Sequence, residues 1–600
     1  MVYAGSNNIV VVVVVVGRSD IRRRAGEMKM ERCGAGNLRH GRYALYHVGH
    51  LRPFTISRKE DVEEHGIHHE IDAIVMGRAY RLASDDPSGS ETKHTILPTL
   101  THCPEPASVM TLSSPIRRIA VIGAGPSGLA AVKYLLAEKC FERIDVFEKR
   151  SSAGGVWNYC PGILKEKLTT DVPQLDPNKP LEEPLWYPTG GHDRPQEAVF
   201  VSPLYKTLDT NIPKEMMGYG DKSFEQDSQV FPKHSAVKKY LDEYAEDIKN
   251  VIQFETQVVD VRKTEGAPHA WSLTTKNLRE RIEKTHSYDA VVVASGHFDV
   301  PYTPDIAGIQ AWNTAYPGII SHSRLFDSAE SFRDKKVTVV GTSASGLDIG
   351  NQINEVSKGK LLVSQRTETP LASAASDKIY LPQIVEFLPP HTHNRAVRFA
   401  NGHIEQDIDA IVFCTGYLYS FPFLSSLNPP LITDGRRTLN VYQHLFYIYD
   451  TTLVLPALPQ RVIPLPLSEN QAAVFARVWS GRLSLPSQKE MKAWEEANIA
   501  QKGNGTSFHL LPFPQDADYH NFLHDWAATA PLRQGLDNNG AGKLCNYCGE
   551  RQRWIRQRLP EMKRVFSEKG QERSSIKNLE QLGFDYDKWK EQEGHRDARL

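Results

Sequence analysis

A glycine-rich turn between an apolar run and a helix-like segment carries the residue types that bind a dinucleotide. The turn Gly123-Ala124-Gly125-Pro126-Ser127-Gly128 follows the apolar run 119–122. Glycines at this spacing allow a tight turn, let the backbone approach a pyrophosphate, and let the helix pack closely on the strand. The helix N-terminus then offers unpaired N–H groups to phosphates. Glu148 ends the next apolar run, where a carboxylate accepts hydrogen bonds from ribose hydroxyls. A glycine turn of some other α/β protein is the alternative, which Glu148 disfavours.

A second turn of the same kind lies further along the chain. Gly341-Thr342-Ser343-Ala344-Ser345-Gly346 follows the apolar run 337–340, with Ser343 in place of the middle glycine. Ser364 and Arg366 follow the next short strand, so Arg366 stands where the first unit has Glu148. A carboxylate suits a free ribose 2′-hydroxyl, whereas a guanidinium suits a 2′-phosphate. We therefore expect the first unit to bind FAD and the second to bind NADPH.

The two turns predict an α/β fold with two Rossmann-like dinucleotide-binding domains, in which the NADPH domain is inserted into the FAD domain. The apolar runs 289–296 and 409–416 are near copies that flank the second turn and end in glycine, which supports an internal duplication. The predicted segments are a low-complexity, disordered extension (1–112), the first part of the FAD domain (113–300), the NADPH domain (301–408), the returning part of the FAD domain (409–535) and a charged helical C-terminal segment (536–600).

Composition excludes several classes of protein. The net charge of −1 provides no global field for nucleic acid or for an anionic membrane. The most apolar run, 9–16, is far shorter than the ~20 residues of a membrane span. Seven scattered cysteines favour a reducing compartment over a disulfide framework. We therefore expect a soluble cytoplasmic protein, although the last three residues, Ala598-Arg599-Leu600, have the small-basic-Leu character of a peroxisomal address.

Two clusters suggest other chemistry. His65, His68, His69 and Glu70 are interpreted as a solvated surface rather than a metal site, and we assign no metal. Cys545 and Cys548 form a CxxC pair, which is typical of a redox pair or half a zinc site. No second pair with zinc spacing follows, so we interpret them as free thiols.

The segment between the two turns is more specific than either turn. Tyr316-Pro317-Gly318-Ile319-Ile320-Ser321-His322-Ser323-Arg324-Leu325-Phe326 resembles the fingerprint F-x-G-x-x-x-H-x-x-x-Y/F of the flavin-containing monooxygenases. Tyr316 is the one departure. Baeyer–Villiger relatives usually end the motif in Trp, so Phe326 favours the branch that oxidises nitrogen or sulfur. The resemblance covers roughly residues 115–535 and looks closest to the fungal, yeast-type members.

This resemblance implies an NADPH- and O2-dependent FAD monooxygenase that oxygenates a soft nitrogen or sulfur nucleophile through a C4a-hydroperoxyflavin. The substrate would be a small amine, thiol or sulfide, and a homodimer is one expectation for an assembly that the sequence leaves open. Asn211 is the implied catalytic-site residue, and His322 is implied to be structural or cofactor-positioning. The implied cofactor-binding residues are Gly123, Gly125, Pro126, Ser127, Gly128, Glu148, Val156, Trp157, Thr210, Asn211 and Val258 on the FAD side, and Gly341, Ser343, Ser345, Gly346, Ser364, Arg366, Thr415 and Gly416 on the NADPH side or near the flavin.

Two other functions stay open at this point. A disulfide reductase with FAD and NADPH would use Cys545 and Cys548, although such enzymes place the redox pair beside the flavin and here it lies beyond the returning strand. A non-catalytic NADP(H)-binding flavoprotein is the second alternative, and the intact cofactor motifs argue against it. The sequence does not identify the substrate or decide between nitrogen and sulfur.

Overall fold

The structure is a computed structural model that describes residues 2–4, 10–12, 115–188, 196–264, 270–367 and 377–597. The chain divides into two compact units, Met1–Thr101 and His102–Leu600. In the first unit, the described part is an antiparallel pair of strands, β1 (Val2–Ala4) and β2 (Val10–Val12). The prediction made for residues 1–112 otherwise lies outside the described residues.

The larger unit alternates strands and helices along most of its length. Its strands are β3 (Arg118–Ile122), β4 (Arg143–Phe147), β5 (Leu185–Pro188), β6 (Gln196–Val199), β7 (Ile252–Gln253), β8 (Thr256–Lys263), β9 (Trp271–Asn277), β10 (Glu283–Tyr288), β11 (Ala290–Val293), β12 (Val300–Pro301), β13 (Ile320–His322), β14 (Val337–Val340), β15 (Leu362–Ser364), β16 (Ile379–Leu381), β17 (Ile384–Phe387), β18 (Val397–Phe399), β19 (Ile404–Glu405), β20 (Ala410–Phe413), β21 (Tyr417–Leu418), β22 (Val441–Tyr442), β23 (Phe446–Tyr447) and β24 (Leu453–Val454). Its α-helices are α1 (Pro126–Ala137), α2 (Gly162–Lys165), α3 (Lys214–Met217), α4 (His234–Ala245), α5 (Ile309–Ala315), α6 (Ala344–Asn354), α7 (Pro464–Trp479), α8 (Gln488–Lys502), α9 (Gln515–Ala528), α10 (Glu550–Glu568) and α11 (Tyr586–Asp597).

The first sheet has seven strands in the order β22-β23-β24-β11-β3-β4-β7. The strands β24, β11, β3, β4 and β7 run parallel, and β22 and β23 join as antiparallel neighbours. The strand β3 lies near the middle, with Ile119 and Val121 in one apolar cluster and Ala120 and Ile122 in another. Burial on both faces explains why β3 is a continuous apolar run. Its carboxyl end delivers the first glycine turn.

The second sheet has five parallel strands in the order β13-β20-β14-β15-β16. The strand β20 pairs with β14 in this sheet, whereas the sequence had placed residues 409 onward in the returning part of the first domain. The two strands have similar sequences because they occupy equivalent positions in different sheets. The strand β11 pairs with β3, which precedes the first glycine turn, and β20 pairs with β14, which precedes the second. Their similarity therefore marks a repeated position, and β20 belongs to the sheet that contains the second glycine turn.

The chain passes between the two main sheets through two short connecting strands, β12 and β21. The strands β12 and β21 pair antiparallel, with Val300 opposite Leu418 and Pro301 opposite Tyr417. Beyond the first sheet, the C-terminal helix α10 packs Ile555, Met562 and Phe566 into an apolar cluster with Val230 and Phe231. No helix in the described part of the chain is long and apolar enough to span a membrane.

Candidate active site

A single cavity of about 2940 Å³ lies between the carboxyl ends of the two main sheets. We call it the cleft. Most residues predicted from the sequence to bind a cofactor line it: Gly123, Gly125, Pro126, Ser127, Glu148, Val156, Trp157, Thr210, Asn211, Val258, Gly341, Ser343, Ser345, Ser364, Arg366, Thr415 and Gly416. Two predicted residues, Gly128 and Gly346, are not among the lining residues. The fold thus brings both glycine turns and the Asn211 loop to one space.

The first glycine turn has no room for side chains. Gly123 has a φ of +101°, and a Cβ atom there would lie 2.6 Å from the carbonyl oxygen of Ala294. A Cβ atom on Gly128 would lie 1.9 Å from the carbonyl oxygen of Gly123, so Gly128 allows α1 to pack on β3 from behind the cleft. The helix begins at Pro126 with no side-chain cap on Gly125. Its first N–H groups therefore face the cleft without a side-chain acceptor.

Glu148 is a buried carboxylate at the end of β4. Its Oε2 atom accepts a hydrogen bond from the Ala124 backbone N–H at 2.7 Å, and its Oε1 atom accepts one from the Arg150 N–H at 2.9 Å. These bonds tie the end of β4 to the glycine turn. The carboxylate also lines the cleft, where a second lone pair on each oxygen is available to a ribose hydroxyl.

Arg150 lines the cleft and is not among the residues predicted from the sequence. Its side chain is buried, and its Nε and Nη2 atoms have no hydrogen-bond partner among the described residues. The hydroxyl of Ser295, just after the carboxyl end of β11, is also buried and has no hydrogen-bond partner among the described residues. Buried polar atoms without partners are costly in a folded protein, so they indicate a missing acceptor. Two basic residues directly after Glu148 were the available sequence signal.

The second glycine turn repeats the packing of the first. Gly341 has a φ of +111°, and a Cβ atom on Gly346 would lie 2.0 Å from the Gly341 carbonyl oxygen. Ser343 precedes α6 and makes no side-chain capping bond, so this helix also presents its N-terminus to the cleft. Gly346, like Gly128, holds the helix against the strand instead of lining the cleft.

Ser364 and Arg366 lie at the end of β15 and differ in how they face the cleft. The Ser364 hydroxyl donates to the Pro382 carbonyl and accepts from the Ile384 N–H, both at 3.2 Å. It therefore mainly joins two strands of its own domain. Arg366 is exposed, and its guanidinium has no ion-pair partner among the described residues. Lys378, which no motif in the sequence predicted, also lines the cleft.

The loop that carries Asn211 is held in place by hydrogen bonds from Thr210. Thr210 donates its backbone N–H to Pro232 O at 2.9 Å and its hydroxyl to Ile212 O at 2.9 Å. The Thr210 side chain is thus used within the loop. The Asn211 side chain is exposed to the cleft and has no hydrogen-bond partner in the described part of the chain. Its amide is free to donate and accept.

The fingerprint segment, residues 316–326, contacts the first domain at the junction of the two domains. His322 is fully buried, and burial lowers its pKa to about 3, so the ring is neutral. Its Nδ1 atom accepts from the Arg324 N–H at 3.1 Å. The Arg324 guanidinium reaches Glu182 of the first domain at 3.0 Å. The buried Lys165 of α2 also donates to the Phe326 carbonyl, at 3.1 Å. Lys165, Glu182 and Arg324 were not predicted from the sequence.

The remaining predicted residues surround the middle of the cleft. Val156 and Trp157 form a half-buried wall after the paired glycines, and Trp157 packs against the core around α1. Val258 is buried at a bulge in β8. Thr415 and Gly416 lie at the crossing between domains, where Gly416 O accepts from the Tyr302 N–H at 2.9 Å. These positions line the cleft, and their contact with a cofactor stays a prediction.

The CxxC pair lies elsewhere. Cys545 packs against the core cluster of α1 and α7, and the Cys548 backbone is held by Asn521 of α9. Neither cysteine lines the cleft, so the disulfide reductase alternative receives no support from their position. Within the described ranges, no group of three or more His, Cys, Asp or Glu side chains is arranged to hold a metal. The cluster around His65 lies outside the described residues.

In each of the two sheets, the carboxyl ends of parallel strands present a glycine turn and a helix N-terminus to one cleft, which is the arrangement of a protein that binds two dinucleotides. The family model "flavin-binding monooxygenase-like" matches residues 192–388 and 382–529, and the model of an NAD(P)-binding Rossmann-like domain matches residues 121–160. The chain belongs to the flavin-containing monooxygenase family. The resemblance identified in the sequence is therefore confirmed.

Several relatives illustrate this membership. The chain is 33% identical over 429 residues to "flavin-containing monooxygenase FMO GS-OX-like 2" of Arabidopsis thaliana, covering 68% of this chain and 84% of the relative. It is 29% identical over 435 residues to the "thiol-specific monooxygenase" of Saccharomyces cerevisiae, covering 70% and 87%. Among solved structures, S-allyl-L-cysteine S-oxygenase from Allium sativum matches with a TM-score of 0.61 and 27% identity, covering 79% of this chain and 97% of that one.

The protein is a flavin-dependent monooxygenase whose cofactors are FAD and NADPH. The site is consistent with these groups. The side-chain-free turn at Gly123 and Gly125 leaves space for a pyrophosphate, and two atoms of the Arg150 guanidinium, Nε and Nη2, have no acceptor among the described residues. The exposed Arg366 provides a cation on the lining of the cleft, just beyond the end of β15. The prediction of two Rossmann-like domains is confirmed with the enzyme class.

Replacement of Arg366 by Ala is expected to reduce the preference for NADPH over NADH. A charge-assisted hydrogen bond to the 2′-phosphate contributes about 1.5–3 kcal/mol, which corresponds to roughly 10- to 150-fold in the ratio of kcat/KM values. Steady-state NADPH and NADH oxidation by the wild-type and Arg366→Ala proteins measures this ratio. Arg333→Ala, which removes an exposed arginine paired with Glu330 in the same domain, is the matched control. An unchanged ratio would refute the 2′-phosphate assignment.

Glu469 gives the stability of the first domain a dependence on pH. This α7 carboxyl is fully buried, and burial raises its pKa from 4.5 to about 7. An acid that binds its proton more tightly when folded makes the free energy of unfolding fall as pH rises from about 4.5 to about 7. The expected loss is about 3 kcal/mol. Melting temperatures from pH 5 to pH 8 should fall in the wild type and change much less in Glu469→Gln, while the exposed Glu496→Gln control should behave like the wild type.

Proposed function

We propose that the enzyme oxygenates a small soft nucleophile, and that sulfur in a thiol or thioether is its preferred target over an amine nitrogen. The observation that carries the proposal is the single cleft shared by both cofactor turns and the free Asn211 amide. The preference for sulfur is supported by two relatives whose names state sulfur chemistry, the thiol-specific monooxygenase and the S-allyl-L-cysteine S-oxygenase.

The proposed roles of the residues are binding, orientation and exclusion of water. Bound FAD, with NADPH and O2, supplies the oxygen-transfer chemistry. The N-terminus of α1 and the Arg150 guanidinium bind the FAD phosphates, and Glu148 accepts from its ribose. The N-terminus of α6 and Arg366 bind NADPH in the same way. This division explains why the cleft needs no nucleophile paired with a general base.

Asn211 and His322 are proposed to act at the reacting end of the cleft. The Asn211 amide orients polar groups there, because it is the exposed side chain of an otherwise closed loop. His322 stays neutral throughout the working pH range because its pKa is about 3. It therefore contributes shape at the junction and does not move a proton.

A substrate panel tests the proposal. Purified enzyme with FAD and NADPH is offered matched thiols, thioethers and tertiary amines, with NADPH oxidation, O2 uptake and hydrogen peroxide measured in parallel. We expect one product oxygen per NADPH with at least one sulfur compound, seen as a 16-Da mass increase. Coupled turnover with amines alone would contradict the sulfur preference. Peroxide as the sole product from every compound would contradict substrate oxygenation.

A homodimer located in the cytoplasm is our proposal for assembly and location. Light scattering on the purified protein measures the assembly, and a monomer mass would contradict the dimer. Imaging of a fluorescent fusion that leaves the C-terminus free measures the location, and a punctate peroxisomal pattern would contradict the cytoplasm.

A further inference from the structure

The C-terminal segment contributes a wall of the cleft although it lies beyond the family match, which ends at residue 529. The helix α10 runs along the cleft, and Leu559, Lys563 and Ser567, which lie one turn apart, are all lining residues. Residues at positions i, i+4 and i+8 share one face of a helix. One face of α10 therefore borders the same space as the cofactor turns.

Lys563 connects this helix to the loop that carries Asn211. Its ammonium group donates to the carbonyl oxygen of Thr210 at 2.7 Å and to that of Asp209 at 3.3 Å. The ammonium also lies 5.2 Å from the ring centre of Phe231 and 5.3 Å from that of Phe566. The two carbonyls immediately before Asn211 are therefore held by one partly buried cation.

A second set of contacts fixes the same loop from the C-terminal segment. The Asp209 carboxylate, which is 7% exposed, pairs with Arg573 at 3.0 Å and accepts from Gln229 at 2.8 Å. The Val230 N–H donates to the Ile576 carbonyl at 2.8 Å. The loop is thus bound at its side chain, at its carbonyls and at the adjoining strand-like segment.

We propose that Lys563 is a positioning residue that sets the orientation of Asn211 in the cleft, and that residues 550–576 complete the active site. The proposal rests on the role proposed for Asn211. The two carbonyls satisfied by Lys563 belong to the peptide units that lead into Asn211, so their direction determines where its side chain projects. Loss of the ammonium leaves two partly buried acceptors without their donor, and the loop gains freedom to rotate them toward water.

The test uses the full-length protein and three variants. Lys563→Met removes the donor at similar length, Lys563→Arg keeps a cationic donor, and Lys569→Met removes an exposed lysine at the end of the same helix. Hydrogen–deuterium exchange is followed in peptides that cover residues 205–214, together with the FAD content and the fraction of consumed O2 released as hydrogen peroxide.

We expect Lys563→Met to exchange about tenfold faster in the 205–214 peptides, while peptides of α1 and β14 exchange as in the wild type. The peroxide fraction should rise several-fold with FAD content unchanged. Lys563→Arg should restore most of both signals, and Lys569→Met should change neither.

Three results would overturn part of the proposal. Wild-type exchange in Lys563→Met refutes the positioning contact. Faster exchange throughout the protein shows that Lys563 serves general stability, which also refutes it. Faster exchange confined to the loop, with a normal peroxide fraction, keeps the contact and refutes the role of Asn211 in the proposed function.

Discussion

An Asn211→Leu enzyme is expected to bind FAD and oxidise NADPH, yet to release most of the consumed O2 as hydrogen peroxide. Leucine keeps the size of the side chain and removes both the donor and the acceptor of the exposed amide. The cofactor turns lie on separate strands and lose no contact, so reduction of the flavin should continue. The loss of one preorganised donor at a reacting centre typically costs about 10²-fold in the step that it assists.

This expectation is measured by product formed per NADPH consumed. The rate of coupled product formation should fall about 10²-fold, while NADPH oxidation should change by only a small factor. Asn250→Leu, which changes an exposed asparagine that does not line the cleft, is the control. Normal coupling in Asn211→Leu, with the control behaving like the wild type, would remove Asn211 from the active site.

A Gly128→Ala protein is expected to purify without bound flavin. Its new Cβ atom would lie 1.9 Å from the Gly123 carbonyl oxygen, which is backbone and has no side-chain freedom. The helix α1 must then move off β3, and overpacking of this kind costs on the order of 1–3 kcal/mol or more. The displaced N-terminus of α1 and the turn would no longer match the pyrophosphate.

Flavin absorbance per protein, with and without added FAD, measures the outcome. Gly346→Ala, whose Cβ atom would lie 2.0 Å from the Gly341 carbonyl, should keep FAD and lose affinity for NADPH. Gly350→Ala makes only an ordinary contact at 3.4 Å with Leu361 and should affect neither cofactor. Stoichiometric FAD in Gly128→Ala would show that the helix tolerates the shift.

The sequence predicts those parts of the site that depend on interactions between residues close together in the chain. The glycine turns are recognisable because a strand, a turn and a helix start are all encoded within a dozen residues. Arg366 and Glu148 are recognisable because each follows its turn by one strand. The prediction that β20 belongs to the returning part of the first domain was wrong about its sheet. A short apolar strand that ends in glycine carries no information about which sheet it joins.

The residues that the sequence did not reveal act over long separations. Lys563 contacts Thr210 across more than three hundred positions of the chain, and Arg324 contacts Glu182 across the domain junction. No spacing rule connects such residues. Arg150 was visible beside Glu148, but only the burial of its side chain, with two guanidinium nitrogens left without an acceptor, distinguishes it from a surface arginine.

The antiparallel pairing of β12 with β21 has a mechanical consequence for catalysis. Both strands that connect the two nucleotide-binding domains run side by side and share a hydrogen-bonded ladder. Because the two connecting strands are hydrogen-bonded to each other, the connection bends more easily than it twists, and the strands resist sliding past each other. We therefore expect any opening of the enzyme to bend the chain mainly at this ladder, so that the two nucleotide-binding domains close again in one alignment.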